Sequence, residues 1–160
     1  MKIDNFQHIK SHIISVFNRG IEIETLGINS LVCYYFKQIN LINLNEIEIN
    51  TCKVDRRKIK LGYCYGNSSN RLNDHHLYVE GVATNKKTFN QTYHAWNINE
   101  NDSHIDYTFA EISDKFTYQG LIIPSEIVRE VGYRKNGVWG PVIPFLTDDE
   151  LKKVLSYNKN

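Results

Sequence analysis

Cysteines are few in this chain and show no paired spacing. The 160 residues include three, Cys33, Cys52 and Cys64, an odd number that disfavours a disulfide framework and indicates free thiols in a reducing compartment. The polar N-terminus lacks the apolar stretch of a signal peptide, and no apolar run reaches the roughly 18 residues of a membrane span. We therefore expect a cytoplasmic protein without membrane association.

An excess of charge of either sign is also lacking. The formal net charge is +1, so no general attraction to nucleic acid or to an anionic membrane is expected. Apolar residues make up 41% of the chain and aromatic residues 12%, proportions that are ordinary for a folded protein and argue against disorder. The length fits a single domain over residues 1–160 with a buried core.

Hydrophobic periodicity predicts helices at both ends of the chain. An amphipathic helix around Ile9 and Ile13 is expected to end at Gly20. A second helix is expected to begin at Ser125 and end at Gly132, and Thr147 opens a capping box before a last helix. The apolar run 31–36 is too short to assign by its period alone.

Alternating and apolar segments predict strands between these helices. We expect strands at 21–24, 46–50, 77–83, 92–98, 104–109 and 121–123. The strands at 77–83, 92–98 and 104–109 are separated by polar turns, as in an antiparallel meander. The predicted fold class is therefore α+β. Residues 1–50 form an N-terminal helix and strands, 60–110 a central segment, and 111–160 a C-terminal strand and helices.

Three residues of this central segment can form a nucleophile, its base and an orienting acid: Cys64, His94 and Asp106. Cys64 lies in a small-residue cluster, 62–70, which is either a loop or the turn that opens a short helix ending near Asp74. At a helix N-terminus the dipole favours a thiolate. If the strands of His94 and Asp106 form a hairpin, the two side chains lie close together.

Each of these residues also has a structural interpretation. A free cysteine is most often a small buried side chain, and a strand histidine beside a tryptophan is often half-buried without a chemical role. Aspartate is unfavourable within a strand, so Asp106 either bonds a neighbouring imidazole or marks a strand end.

Aromatic residues cluster around the three candidates. Tyr63, Tyr65, Tyr78 and Trp96 are expected to line a substrate groove, although an aromatic core explains them equally well. Gly62 and Gly66 would let a substrate approach the backbone. His75 or His76 could join His94 and Asp106 at a metal, but their spacing matches no metal motif, and we expect no cofactor.

Four short pieces of the central segment resemble the core of the transglutaminase-like branch of the papain-like cysteine enzymes. They are Gly62-Tyr63-Cys64, Tyr78-Val79-Glu80-Gly81-Val82, His94-Ala95-Trp96 and Ile105-Asp106-Tyr107-Thr108. The resemblance covers about residues 60–110. Tyr107 stands where that family usually has proline. The resemblance implies Cys64 as nucleophile, His94 as general base and acid, Asp106 as orienting residue, and a sheet packed against the helix that bears the cysteine.

These observations favour a small cysteine-dependent hydrolase or acyltransferase that acts on an amide bond, as a peptidase, amidase or deamidase, through a thioester intermediate. Its partner would be a peptide, protein or small amide substrate. The alternative is a catalytically inactive transglutaminase-like module that binds a peptide or small ligand in the aromatic groove. A metal hydrolase is a third interpretation.

Overall fold

The computed structural model describes residues 3–19, 26–39, 44–135 and 140–159. The expected helix end at Gly20 and the expected strand at 21–24 lie outside these residues. Within them, the helices are α1 (Ile3–Asn18), α2 (Leu26–Ile39), α3 (Cys64–Asn70), α4 (Ser125–Arg134) and α5 (Asp148–Tyr157). Single 3-10 turns occur at Arg71–Asp74, Ser113–Lys115 and Ile143–Phe145.

Five strands form one antiparallel sheet. They are β1 (Ile47–Glu48), β2 (Leu77–Asn85), β3 (Gln91–Ile98), β4 (His104–Ile105) and β5 (Phe116–Ile123). Their order across the sheet is β1-β5-β2-β3-β4, and every neighbouring pair is antiparallel. The predicted α+β class is therefore confirmed, and so is the meander from β2 through β3 to β4.

The two faces of the sheet bury different sets of side chains. One face packs against the helices in the larger core, to which β2 and β3 contribute Tyr78, Val82, Tyr93 and Ala95. The opposite face carries a smaller cluster that includes Val79, Trp96 and Tyr118. Because successive side chains of a strand alternate between faces, His94 lies on the same face as Trp96, beside the smaller cluster.

Two glycines face each other on neighbouring strands where the sheet is most closely packed. Gly81 on β2 pairs with Gly120 on β5 and with His94 on β3. A Cβ on Gly120 would lie 2.4 Å from Trp96 Cη2, and one on Gly81 would lie 2.0 Å from the Gln119 carbonyl oxygen. Both distances are too short for any side chain, so glycine is required at position 120 beneath the indole of Trp96 and at position 81 where β2 lies against the backbone of β5.

Several predicted boundaries are corrected by the structure. The run 31–36 belongs to α2, and β5 begins at Phe116 rather than at residue 121. Gly132 does not end α4, because the helix continues to Arg134, whose guanidinium bonds Glu150 and the Phe145 carbonyl. The expected strand at 104–109 stops at Ile105, because the backbone then turns around the carboxylate of Asp106.

Candidate active site

Cys64 is the first residue of α3, as the helical interpretation of the segment 62–70 predicts. The turn before it depends on Gly62, whose φ of 71° lies in the left-handed region that glycine adopts without strain. Cys64 itself is 8% exposed. The thiol therefore lies just below the surface, at the end of the helix where the dipole favours negative charge.

Asn67, one turn into α3, joins the segment before Cys64 to the turn after Asp106. Its side-chain nitrogen donates to the Lys60 carbonyl over 2.8 Å and to Thr108 Oγ1 over 3.0 Å, and its oxygen accepts from the Lys60 N–H. The two bonds to Lys60 hold the segment that precedes the cysteine. The bond to Thr108 ties α3 to the turn that follows Asp106.

His94 is buried on β3 and bonds to Asp106 through one ring nitrogen. Its Nε2 lies 2.7 Å from Asp106 Oδ2, and 2% of the residue is exposed. The imidazole stacks on the ring of Phe109, with centroids 4.3 Å apart and planes 6° from parallel. With Nε2 held by Asp106 and one ring face covered by Phe109, Nδ1 is the nitrogen left for the thiol.

Asp106 follows β4 directly, at the start of a turn. Its Oδ1 accepts hydrogen bonds from the backbone N–H groups of Thr108 and Phe109, over 2.9 and 3.0 Å. Its Oδ2 accepts from Tyr118 Oη over 2.9 Å in addition to His94. Asp106 therefore both ends a strand and bonds an imidazole, the two alternatives that its sequence position leaves open.

The electrostatics of His94 favour its protonated form. Burial has the largest effect on the pKa of His94 and lowers it, but attraction to Asp106 and Cys64, with a hydrogen bond to each, outweighs burial and raises the pKa to about 10. The direct interaction with the Cys64 side chain places all three predicted residues in contact as a chain, cysteine to histidine to aspartate. A protonated imidazole at this position stabilises negative charge on the sulfur.

The carboxyl of Asp106 is ionised for related reasons. Burial is again the largest effect and raises its pKa, but the positive charge of His94 and the hydrogen bonds from His94, Phe109 and Tyr118 together hold the pKa below its ordinary value. A buried carboxylate next to a protonated imidazole is the arrangement that fixes the orientation of a catalytic histidine.

The other two cysteines have surroundings that oppose ionisation. Burial raises the pKa of Cys33 to about 11. Burial and the negative charge of Asp106 raise the pKa of Cys52, although Cys52 is more exposed than Cys64. The thiols therefore differ in their surroundings, and only Cys64 has an imidazole partner among the contacts described.

Three of the four aromatic residues expected to line a groove are buried in the core. Tyr78 and Trp96 are 0% exposed and Tyr65 is 8% exposed, so these three present almost no surface to a substrate in this structure. The Tyr78 hydroxyl donates to Glu80 and the Trp96 indole N–H to His104. They are core residues, as the alternative interpretation of the aromatic cluster predicts.

Tyr63, the fourth residue of that set, is half-buried, and its ring occupies the space above Gly66. A Cβ on Gly66 would lie 2.0 Å from Tyr63 Cε1. Gly66 therefore admits the Tyr63 ring, which corrects the expectation that this glycine leaves its backbone open to a substrate. Gly62 differs, because it lies in the wall of a cavity.

That cavity, of about 480 Å³, is lined by two segments that lie next to Cys64 and Asp106 in the sequence. Its walls come from the segment 54–62, which leads to Cys64, and from residues 107–112, which follow Asp106. Phe109 belongs to both the cavity wall and the stack on His94. The volume lies within the range of about 300–1,000 Å³ that is usual for small-molecule sites.

Sequence reasoning missed three residues that shape this site: Asn67, Phe109 and Tyr118. Phe116, Tyr118 and Gly120 lie at every second position, which is the period of a strand. This pattern predicts that β5 begins close to its observed start at Phe116. Asn67 and Phe109 gave no local signal, because their roles depend on contacts across the fold.

Among the described residues, no group of three or more His, Cys, Asp or Glu side chains is arranged to hold a metal ion. His76, one of the two histidines considered as a ligand, has its Nε2 2.9 Å from the Tyr107 hydroxyl. No helix in the described part of the chain is long and apolar enough to cross a membrane.

Comparison of the chain with models of protein families, with curated proteins and with solved structures gave no match.

Proposed function

We propose that this chain is a small cysteine-dependent hydrolase or acyltransferase that acts on an amide bond. The observation that carries the proposal is the contact chain from Cys64 to His94 to Asp106. These three residues come from α3, β3 and the turn after β4. Their meeting in one buried cluster supports the roles assigned to them.

The arrangement also supports the proposed transglutaminase-like fold. A short helix begins with the cysteine and packs against an antiparallel sheet, and the histidine lies on a strand whose neighbour leads to the aspartate. The positions of the Gly-Tyr-Cys piece at the start of a helix and of the His-Ala-Trp piece on a central strand support this part of the proposal. On this basis we propose a transglutaminase-like fold within the α+β class.

The chemistry begins with the Cys64 thiolate and the protonated His94. The sulfur attacks the carbonyl carbon of the amide and a C–S bond forms, with the oxyanion held by backbone N–H groups near Cys64. The C–N bond then breaks as His94 Nδ1 gives its proton to the leaving amine, which leaves a thioester on Cys64.

The second half of the reaction restores the enzyme. A water molecule, or an acceptor amine, attacks the thioester carbon while His94 Nδ1 takes its proton. The C–S bond breaks and the sulfur leaves as a thiolate beside the protonated imidazole. Water gives hydrolysis or deamidation, and an amine gives acyl transfer. Asp106 keeps the imidazole in one orientation through both halves.

The test is the rate of iodoacetamide alkylation at each cysteine against pH, with peptide mapping by mass spectrometry. We expect Cys64 to react rapidly near pH 6, where a thiol in ordinary surroundings, which titrates near pH 8.5, reacts slowly. His94→Ala should slow Cys64 at pH 6 by at least about tenfold, the equivalent of one pKa unit. Cys64→Ala should abolish turnover of any substrate found.

Cys52 provides an internal reference in the same sample. It is more exposed than Cys64 and its pKa is raised, so faster labelling of Cys64 at pH 6 reports activation rather than access. A Cys64 rate that follows an ordinary thiol and ignores His94→Ala would overturn the catalytic proposal. The inactive binding module would then be the remaining proposal, without the groove at Tyr78 and Trp96 that first suggested it.

A further inference from the structure

The cavity between the segments 54–62 and 107–112 has largely apolar walls. Val54, Ile59, Phe109 and Ala110 contribute apolar side chains to its lining. Leu61 and Ile112 belong to the same lining and remain 75% and 39% exposed. Large apolar side chains left open to solvent around a concave site commonly mark a surface that binds an apolar group.

The charged residues of the lining balance each other. Arg56 and Glu111 form an ion pair with one another at the cavity. The positive charge of Arg56 and the negative charge of Glu111 are therefore each already paired. A carboxylate or an ammonium group of a ligand would find no free opposite charge among the lining residues. A charged ligand group would lose its hydration there without a new partner, which is costly.

One wall of the cavity is fixed by the contacts that hold the candidate active site. The N–H groups of Thr108 and Phe109 bond Asp106, and the Phe109 ring stacks on His94. Tyr107, in the same wall, has its ring under the Arg71 guanidinium at 4.3 Å. The wall is therefore preorganised by the residues that orient the imidazole.

We infer that this cavity binds an uncharged apolar side chain or acyl chain of the substrate, next to the carbonyl carbon that Cys64 attacks. The inference rests on the proposed function and adds a substrate class to it. An enzyme of this kind prefers amides with a large apolar group over amides with an acidic or basic group at that position. A missing apolar group in such a pocket typically lowers kcat/KM by about 10- to 200-fold.

The test uses alkylating reagents, so that no substrate needs to be known. N-hexyl-iodoacetamide and N-(5-carboxypentyl)-iodoacetamide carry the same reactive group on tails that differ chiefly in the terminal charge. We expect the hexyl reagent to label Cys64 at least about tenfold faster than the carboxypentyl reagent at low concentration, and its rate to saturate. The ratio of the two rates is measured within each variant, so a general change in Cys64 reactivity cancels.

Leu61→Asn and Ile112→Asn replace an apolar side chain of the cavity wall by an uncharged polar one and should bring the ratio close to one. Tyr133→Asn is the matched control: Tyr133 is 78% exposed on α4 and takes no part in the lining, so the ratio should stay as in the wild type. Far-ultraviolet circular dichroism and thermal unfolding establish that each variant is folded.

Equal rates for the two reagents in the wild type, with Cys64 still reacting rapidly with iodoacetamide near pH 6, would overturn the inference and leave the proposed function standing. A ratio that persisted in both cavity variants would also overturn it, because the tail would then bind elsewhere. Slow, ordinary labelling of Cys64 by iodoacetamide itself would contradict the proposed function instead.

Discussion

Asp106 accepts hydrogen bonds from four groups, and its two oxygens serve different purposes. Oδ1 holds the turn through the N–H groups of Thr108 and Phe109, whereas Oδ2 faces His94 and Tyr118. An asparagine can keep the first pair of bonds, because asparagine forms the same turn. It cannot supply the negative charge that the imidazole faces.

We therefore predict that Asp106→Asn preserves the fold and removes the activation of Cys64. The amide would donate to His94 Nε2, so that the proton shifts to Nδ1 of a neutral ring, a tautomer that cannot act as base toward the sulfur. Alkylation of Cys64 at pH 6 should slow by at least about tenfold. Asp102→Asn makes the same change at an exposed turn and should leave the alkylation rate of Cys64 unaltered. Equal rates for Asp106→Asn and the wild type would contradict the role of Asp106 in orienting His94.

The raised pKa of His94 also predicts a pH dependence of stability. The pKa is about 10 in the folded chain and about 6.5 in an unfolded one. The folded state thus binds a proton more tightly, so this contribution to the free energy of unfolding is complete below pH 6.5 and is lost as the pH rises through about 10. Urea unfolding at intervals between pH 6 and 10 measures it.

The comparison with His94→Gln isolates this contribution. Lys135 titrates in the same window, since burial lowers its pKa to about 8, and its effect on stability has the opposite sign. The difference between the two proteins cancels Lys135, and it should shrink as the pH rises. A difference that is constant from pH 6 to 10 would show that His94 does not hold the extra proton.

At the scale of elements, local signals predict α5 best. Thr147 accepts from the Glu150 N–H, and the Glu150 side chain accepts from the Thr147 N–H, which is the reciprocal pair that the capping box predicts. Both bonds lie within one turn of chain, so the sequence holds all the information they need.

Thr147→Ala should lower the free energy of unfolding by about 1 kcal/mol. The cause is the loss of the hydroxyl that accepts from the helix N-terminus, and the shift of the urea midpoint at constant slope measures it. Thr147→Ser keeps a hydroxyl and should lie within a few tenths of a kcal/mol of the wild type. Equal losses in the two variants would point to the methyl group rather than to the cap.

Elements whose ends depend on distant partners were predicted less well. β4 stops at Ile105 because the carboxylate of Asp106 is engaged by the next turn and by His94. α4 continues beyond Gly132 to Arg134, which forms an ion pair with Glu150 on α5. The expected hairpin predicted that His94 and Asp106 lie close together, and the family resemblance added Cys64 to them. The cavity at residues 54–62 and 107–112 could not be found from spacing, because it forms between segments that show no common pattern.

At the scale of the whole molecule, the sheet carries a second buried carboxylate, on the face opposite His94. Glu80 accepts from the hydroxyls of Tyr78 and Tyr93, and from the N–H groups of Val142 and Ile143, which lie more than sixty residues away in sequence. It joins the central strands to the segment before α5. Burial raises its pKa, and these hydrogen bonds oppose that effect without cancelling it.

Glu80 and Asp106 thus have the same functional group, full burial and several donors, yet only Asp106 contacts an imidazole. We predict that substitutions separate the two roles. Glu80→Ala leaves buried donors without acceptors, at about 1–3 kcal/mol each, and should lower the urea midpoint strongly. Glu80→Gln keeps one acceptor oxygen and should lose less.

In Glu80→Gln the Cys64 alkylation rate at pH 6 should stay as in the wild type, because Glu80 lies across the sheet from His94. A lower alkylation rate of Cys64 in that variant, with its fold intact, would show that the two faces of the sheet are coupled. The reactivity of Cys64 and His94 would then depend on more than Asp106.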